Sequence, residues 1–127
     1  MSLMLNLPGI LAYSMDETNG LYKVVYSPAA QEDIRSIYMY IAYELLAGQS
    51  ARNQVDRVRK KIHGLETMPK RHEAVDWELW ASMGMRKVPV DNYVVFYLVD
   101  DENGVVTVDR VFYGGRGAQG TIQEILD

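Results

Sequence analysis

The sequence predicts an α+β fold in which a twisted, antiparallel-rich sheet carries a helical hairpin on one face. Two amphipathic segments follow each other between residues 28 and 65, with apolar side chains at three- and four-residue spacing. Three β-type runs come next, separated by Asp, Asn and Gly residues that are typical of hairpin turns. Because the two helices need a sheet to cover, the predicted element order is β-α-α-β-β-β-α.

The start of the first helix is predicted from its capping chemistry. A strand over residues 21–26 leads into Ser27 and Pro28. The serine side chain can accept an unpaired backbone N–H, and proline at the first helical position has no N–H to leave unpaired. The helix is expected to run to about Ala47 and to close at Gly48. A second helix opens at Gln49-Ser50 and ends before Pro69.

The second half of the chain is predicted to be mostly strand. Residues 69–83 are expected to be irregular, with Trp77 and Trp80 serving either as a stacking platform or as core beneath a loop. The β-type runs cover residues 86–90, 93–99 and 105–112, and residues 121–126 predict a short final helix. Residues 1–20 are interpreted as an N-terminal extension, and residues 21–127 as the folded domain.

Composition excludes several kinds of chemistry. The chain of 127 residues contains no cysteine, which excludes disulfides, thiolate nucleophiles and cysteine-based metal sites. Its two histidines, His63 and His72, are too few and too far apart to predict a metal cluster, so no metal and no cofactor are expected. The apolar start of the chain is interrupted by Pro8-Gly9 and is too short for a membrane span, so a cytoplasmic protein is expected.

Charge is distributed unevenly along a chain whose formal net charge is -4. Residues 50–90 hold nine Lys and Arg against five Asp and Glu, whereas the remainder holds four basic and twelve acidic residues. This basic block indicates either a local footprint for a polyanion or simply a solvated helix face.

Several segments, taken in order, resemble the RelE/ParE superfamily of bacterial toxins, which are often called plasmid-stabilisation proteins. They are YKVVYSPAAQEDIRSIYMYI, GLETMPKR, MRKVPVDNYVVFYLV and VTVDRVFYGGRG. The resemblance covers the chain from about residue 21 onwards. It implies the toxin of a type II toxin–antitoxin module, with a compact fold that agrees with the element order derived above.

The resemblance implies two alternative activities on one scaffold. RelE-like members cleave mRNA in the ribosomal A site, without a metal ion, and this endoribonuclease activity is the expected function. ParE-like members inhibit DNA gyrase without being known as nucleases, and an inactive relative is a third alternative. A cognate antitoxin is the implied partner, together with the ribosome and mRNA or else gyrase, and a homodimer is a further assembly to test.

Three residues are the candidate catalytic groups. By resemblance, Arg86 and Arg110 match family arginines on the concave face of the sheet, where guanidinium groups would hold phosphate oxygens. Tyr113 matches the position of a terminal tyrosine or histidine that assists proton transfer, for which nearby arginines would have to lower its phenol pKa. The alternative interpretations are salt bridges for the arginines and a half-buried aromatic at a strand end for the tyrosine.

A second set is expected to contact RNA around these three residues. It comprises residues of the loop before the second predicted strand, one residue within that strand and one beyond the glycine pair, namely Lys70, Arg71, His72, Lys87 and Arg116. His72 could also titrate near neutral pH. The alternative interpretation is a polar, solvent-facing loop.

Overall fold

The computed structural model describes residues 21–114, which form five strands and two main helices. The predicted final helix and the N-terminal extension lie outside these residues. The strands are β1 (Lys23–Tyr26), β2 (Glu73–Ala74), β3 (Arg86–Val90), β4 (Tyr93–Asp100) and β5 (Val105–Tyr113). The helices are α1 (Pro28–Met39), α2 (Gly48–His63) and the short α3 (Trp80–Met83). The predicted α+β class is confirmed.

The helical hairpin begins as its capping residues predict. The Ser27 hydroxyl accepts the Ala30 N–H at 2.9 Å and donates to the Asp109 carbonyl at 2.8 Å, which ties the start of α1 to β5. The expected helix to Ala47 is only partly found, since the α-helix gives way to a π-helical turn at Tyr40–Glu44. The second helix starts at Gly48 rather than at Gln49.

The sheet has the strand order β1-β5-β4-β3-β2. The predicted meander of β3, β4 and β5 is present with antiparallel pairing, and β1 pairs in parallel with β5. A parallel pair requires a crossover, which the hairpin of α1 and α2 supplies. Residues 69–83 are less irregular than expected, because Glu73–Ala74 pairs with the edge of β3 and a turn of helix follows.

Each face of the sheet has its own apolar cluster. On the helix face, Val95, Tyr97 and Val108 pack with residues of α1 and α2 such as Ile34 and Ile62. On the opposite face, here called the far face, Phe96 packs with Val75, Trp80 and Met85 and with the partly buried Trp77. Trp80 is therefore core, and Trp77 packs against it. Within residues 21–114, no helix is both long and apolar enough to cross a bilayer.

A bulge shifts the register of β5 against β4. Phe96 is opposite Arg110, but the next residue of β4, Tyr97, is opposite Val108, so Asp109 has no partner in β4. Such an extra residue changes which side chains lie on each face beyond it. Val108 and Val111 both lie in the helix-face core, although their sequence spacing would put them on opposite faces of a regular strand.

Candidate functional site

Arg86 lies at the start of β3 on the helix face. It is paired with Tyr97 in the adjacent strand, and cross-strand partners have side chains on the same face. The Arg86 guanidinium is half-buried and donates from Nη1 to the His72 carbonyl at 2.7 Å. Within residues 21–114 it forms no ion pair with a carboxylate, so its main fixed contact is with the backbone of the 69–72 segment.

Arg110 lies on the far face and is held by Asp33 of α1. Its Nε and Nη2 donate to the two carboxylate oxygens at 2.8 and 2.9 Å, a bidentate pair. The hydrogen bonds that Arg110 donates to Asp33 raise the pKa of Arg110, so the guanidinium stays charged. Its guanidinium carbon also lies 4.5 Å from the centre of the Phe112 ring.

The end of β1 explains why Asp33 occupies this position. β1 ends at Tyr26, opposite Val108, so among residues 21–114 no strand pairs with the rest of β5 on that side. There α1 runs along the edge, and Asp33 accepts the Val111 N–H at 2.9 Å in place of a strand carbonyl. Asp33 thus satisfies an edge backbone group and neutralises Arg110 with the same carboxylate.

The expectation that Arg86 and Arg110 share one concave face is wrong. In the register of the sheet, Arg86 is in a cross-strand row with Tyr97, whereas Arg110 is in the adjacent row with Phe96. Adjacent rows lie on opposite faces, because side chains alternate along each strand. The far-face partner of Arg110 across β4 is instead Lys87.

Tyr113 ends β5 on the helix face, away from Arg110. It is opposite Tyr93, and the two rings meet edge to face with centroids 5.8 Å apart. Its side chain is 65% exposed and lines a cleft of about 490 Å³ together with Tyr93, Tyr40 and Ile37. The chain leaves the strand at Gly114, where a Cβ atom would collide with the Val94 side chain.

The candidate RNA-contact residues are dispersed over both faces and the loop. Lys70 forms an ion pair with Asp101 at 2.7 Å, and Arg71 donates to the carbonyls of Thr67 and Met68. Lys87 lies on the far face, 3.9 Å from a Glu73 oxygen and 4.9 Å from the Trp77 ring centre. Arg116 lies outside the described residues.

His72 lies between the loop and the helix face. Its ring meets Tyr97 edge to face at 6.4 Å, and its Nε2 is buried without a hydrogen-bond partner within residues 21–114. Burial, followed by the charges of Arg71 and Lys61, lowers the pKa of His72, which favours the neutral imidazole. Arg71, His72 and Arg86 therefore form one local group, and Arg110 and Tyr113 are not part of it.

Several important residues were missed from sequence. One signal for Asp33 was available in the sequence, since it is an acidic residue four positions before Ile37 in a helix that follows a strand. Its partner could not be predicted, because that partner depends on which strand lies at the edge of the sheet. Tyr97 is fully buried, and its hydroxyl donates to the Pro69 carbonyl, which fixes the 69–72 segment. Burial raises the pKa of Tyr97 to about 12.

Solved structures with this fold come from toxin–antitoxin systems. The toxin of the chromosomal ParDE system from P. aeruginosa has a TM-score of 0.62 at 14% identity, covering 74% of this chain and 97% of that one. RelBE2 from Mycobacterium tuberculosis gives 0.55 at 22%, covering 73% and 91%. The archaeal RelE–RelB complex from Pyrococcus horikoshii OT3 gives 0.54 at 15%, covering 76% and 98%. At these identities the likeness shows the fold alone.

Sequence comparison assigns the family directly. No curated protein matches the chain. The sequence model for the ParE toxin of the type II toxin–antitoxin system parDE matches residues 24–117, which is most of the chain and includes all the strands and helices described above except Lys23, the first residue of β1. The resemblance derived from the sequence motifs is thereby confirmed, and the chain belongs to the ParE toxin family of type II toxin–antitoxin systems.

Proposed function

We propose that this toxin acts by binding a protein target, as ParE-like inhibitors of DNA gyrase do, and that it does not cleave RNA. We also propose that a cognate antitoxin neutralises it in the cytoplasm. The second proposal is supported by the solved relatives, which are ParDE and RelBE toxin–antitoxin systems.

The dispersal of the three candidate catalytic residues carries the proposal. In-line phosphoryl transfer requires the cations and the proton-transfer group to converge within a few ångströms of one phosphate. Arg86 and Arg110 lie on opposite faces of the sheet, and Tyr113 lies at the end of β5, opposite Tyr93. No single phosphate could contact this set without a rearrangement of the strands.

The charge of Arg110 is also already compensated. The Arg110 side chain is 22% exposed and Asp33 is 14% exposed, so the bidentate pair is largely shielded from water. A phosphate would have to displace the carboxylate and leave it with the Val111 N–H but without its charged partner, which is unfavourable for a shielded charge. This geometry favours a structural role for Arg110.

The exposed apolar surface supports a protein partner. Five large apolar or aromatic side chains are exposed within eight consecutive residues at the hairpin tip, namely Met39, Tyr40, Tyr43, Leu45 and Leu46. Leu46 has a positive φ of 52°, which is unfavourable for this side chain. Tyr40 joins this tip to the tyrosine cleft that includes Tyr113. Contiguous apolar surface of this kind is typical of protein interfaces.

Ribosome-dependent mRNA cleavage is the second candidate, and one observation favours it. Arg86 and Arg71 lie beside the neutral His72 without carboxylate partners within residues 21–114. Two cations next to a neutral imidazole are a reasonable set for phosphate binding and proton transfer. This candidate would leave Arg110 and Tyr113 outside the reaction.

Two assays on the purified full-length chain separate the candidates. Under the proposal, the protein inhibits supercoiling by gyrase, and cell-free translation reactions show no new mRNA ends. Arg86→Ala, combined with His72→Gln, should leave gyrase inhibition intact provided that the variant remains folded by circular dichroism. Ribosome-dependent cuts that disappear in this folded variant would overturn the proposal and establish the second candidate. Arg35→Ala, on the exposed face of α1, serves as the matched arginine control.

A further inference from the structure

The exposed surface of α2 is strongly basic. Between Arg52 and Lys61 the helix carries five cations and one acidic residue, Asp56. Arg57 is paired with Asp91 at 2.7 Å. Arg59, Lys60 and Lys61 form no ion pair within residues 21–114. The last two turns of α2 thus present three adjacent cations whose charge is not compensated by a carboxylate.

Two of these cations, Lys60 and Lys61, border a groove between α2 and the β3–β4 turn. The groove has a volume of about 530 Å³, and its cationic lining residues are Arg57, Lys60, Lys61 and Arg71. The Arg71 guanidinium is fixed by its bonds to two backbone carbonyls, and its Nη2 lies 4.0 Å from the position a Cβ would take at Gly64. One wall of the groove is therefore a pre-positioned cation.

The helix C-terminus explains part of this pattern. Cations in the last turn interact favourably with the helix dipole and with free carbonyl groups, typically by about 0.3–1 kcal/mol each. That effect explains why Lys60 and Lys61 are tolerated beside each other. It does not explain why Arg71, from a different segment, is directed at the same groove. The charges of Arg71 and Lys61 both reach His72, where they contribute to the lowered pKa.

We propose that this groove binds the phosphate backbone of a nucleic acid, with Lys60 and Lys61 as the principal contacts. The site adjoins the group around Arg86, with which it shares Arg71, and its role extends beyond the proposed gyrase inhibition. A rigid helix presents positions 57, 60 and 61 along roughly 6 Å of its axis. Arg57 is paired with Asp91, so Lys60 and Lys61 are the two cations of this row whose charge is available to a polyanion.

The lining of the groove favours a nucleic acid over an acidic peptide. Peptides are usually anchored by apolar side chains in apolar pockets. The apolar side chains that line this groove are Pro89 and Val90, whereas a run of five large exposed apolar or aromatic residues lies at the hairpin tip. Recognition here would be electrostatic, and phosphate contacts of that kind are strongly dependent on salt.

Fluorescence anisotropy with the full-length protein tests the proposal. The probes are a labelled DNA duplex of random sequence and a labelled single-stranded RNA, titrated between about 50 and about 200 mM salt. For the duplex, Lys60→Gln combined with Lys61→Gln should reduce the slope of log K against log salt by about 2, and affinity should fall at least about tenfold at the lower salt. The preferred probe distinguishes DNA from RNA as the source of the phosphate.

The matched control is Lys23→Gln combined with Arg52→Gln, which removes the same charge outside the groove. This control should change the slope by much less than the test variant. Equal effects from the two variants, or no binding by the wild-type protein at about 50 mM salt, would overturn the proposal. Poly-glutamate that binds as tightly as the duplex, with the same loss in the test variant, would also overturn it in favour of acidic peptides. Circular dichroism and thermal melting confirm that each variant is folded.

Discussion

Replacing Arg110 by alanine should destabilise the fold, because it leaves the Asp33 carboxylate without its charged partner. Asp33 is 14% exposed and would keep one backbone donor, Val111 N–H, but lose two charge-assisted hydrogen bonds. Removing one partner of a fully buried ion pair costs about 3–5 kcal/mol. Since this pair is partly exposed, we expect about 2–3 kcal/mol, including the lost contact with Phe112.

The assays are urea unfolding and thermal melting of Arg110→Ala and of the wild-type protein, both followed by circular dichroism. A loss of this size should lower the melting temperature by on the order of 10 °C for a domain of this length. Asp33→Asn is the informative partner variant, because the amide oxygen can still accept the Val111 N–H while the charge is removed. The double variant Asp33→Ala with Arg110→Ala should show a coupling free energy of at least about 1 kcal/mol.

The matched control is Arg35→Ala, which removes an arginine of the same helix hairpin from an exposed pair with Glu32. Exposed pairs of this type contribute less than about 0.5 kcal/mol, so this variant should melt close to the wild type. If Arg110→Ala is no more destabilising than Arg35→Ala, then Arg110 is not held by Asp33 in solution. The guanidinium would then be free for phosphate, and the argument from the compensated charge of Arg110 against the nuclease activity would fail.

Three further predictions concern other parts of the molecule. Tyr97→Phe removes the hydroxyl that bonds the Pro69 carbonyl, so the free energy of unfolding in urea should fall by about 1–2 kcal/mol; an unchanged value would contradict that bond. The lowered pKa of His72 means that below about pH 6.5 the unfolded chain binds more protons than the folded one, so stability should fall as the pH drops from there to the folded-state pKa. Between pH 7.5 and pH 5.5, His72→Gln should lose less free energy of unfolding than the wild-type protein, because this histidine no longer contributes to the loss. Equal losses in the two proteins would refute the assignment. Tyr40→Ala combined with Tyr113→Ala should weaken binding to the antitoxin or gyrase at least about tenfold by calorimetry, with little effect on melting; unchanged affinity would remove the cleft from the interface.

The elements of the fold were predictable because their signals are local. Ser27-Pro28 marked the start of α1 within one residue, and the turn residues around positions 91 and 104 separated three strands whose bounds match to within one residue. The two-residue strand β2 was missed, because so short a strand exists only through its pairing with β3. The parallel pairing of β1 with β5 is also non-local, and no pattern within either strand specifies it.

The candidate site was less predictable, because it depends on register. The alternation of side chains along β5 predicts the sheet face on which Arg110 lies only if the strand is regular. The extra residue Asp109 breaks that regularity. The sequence offers no turn or glycine at this point that would announce a bulge. The partner of Arg110 is 77 residues away in α1, so the choice between phosphate and carboxylate could not be made from the neighbouring residues.

Two surfaces of this small domain, one apolar and one basic, support the proposal that the toxin acts by binding. The apolar hairpin tip and tyrosine cleft would supply most of the affinity for a protein, since buried aromatic residues dominate interface energies. The basic groove is formed by other elements, the last turns of α2 and the β3–β4 turn, and a smaller cleft lined by Pro89, Asp91, Tyr93 and Tyr113 connects it to the tyrosine cleft. A target that presents both a protein surface and a nucleic acid could engage the two together, and two linked contacts bind more tightly than either alone. Under the proposed function, gyrase bound to DNA would be such a target, so loss of the groove cations should weaken inhibition more when the enzyme holds DNA than when it is free.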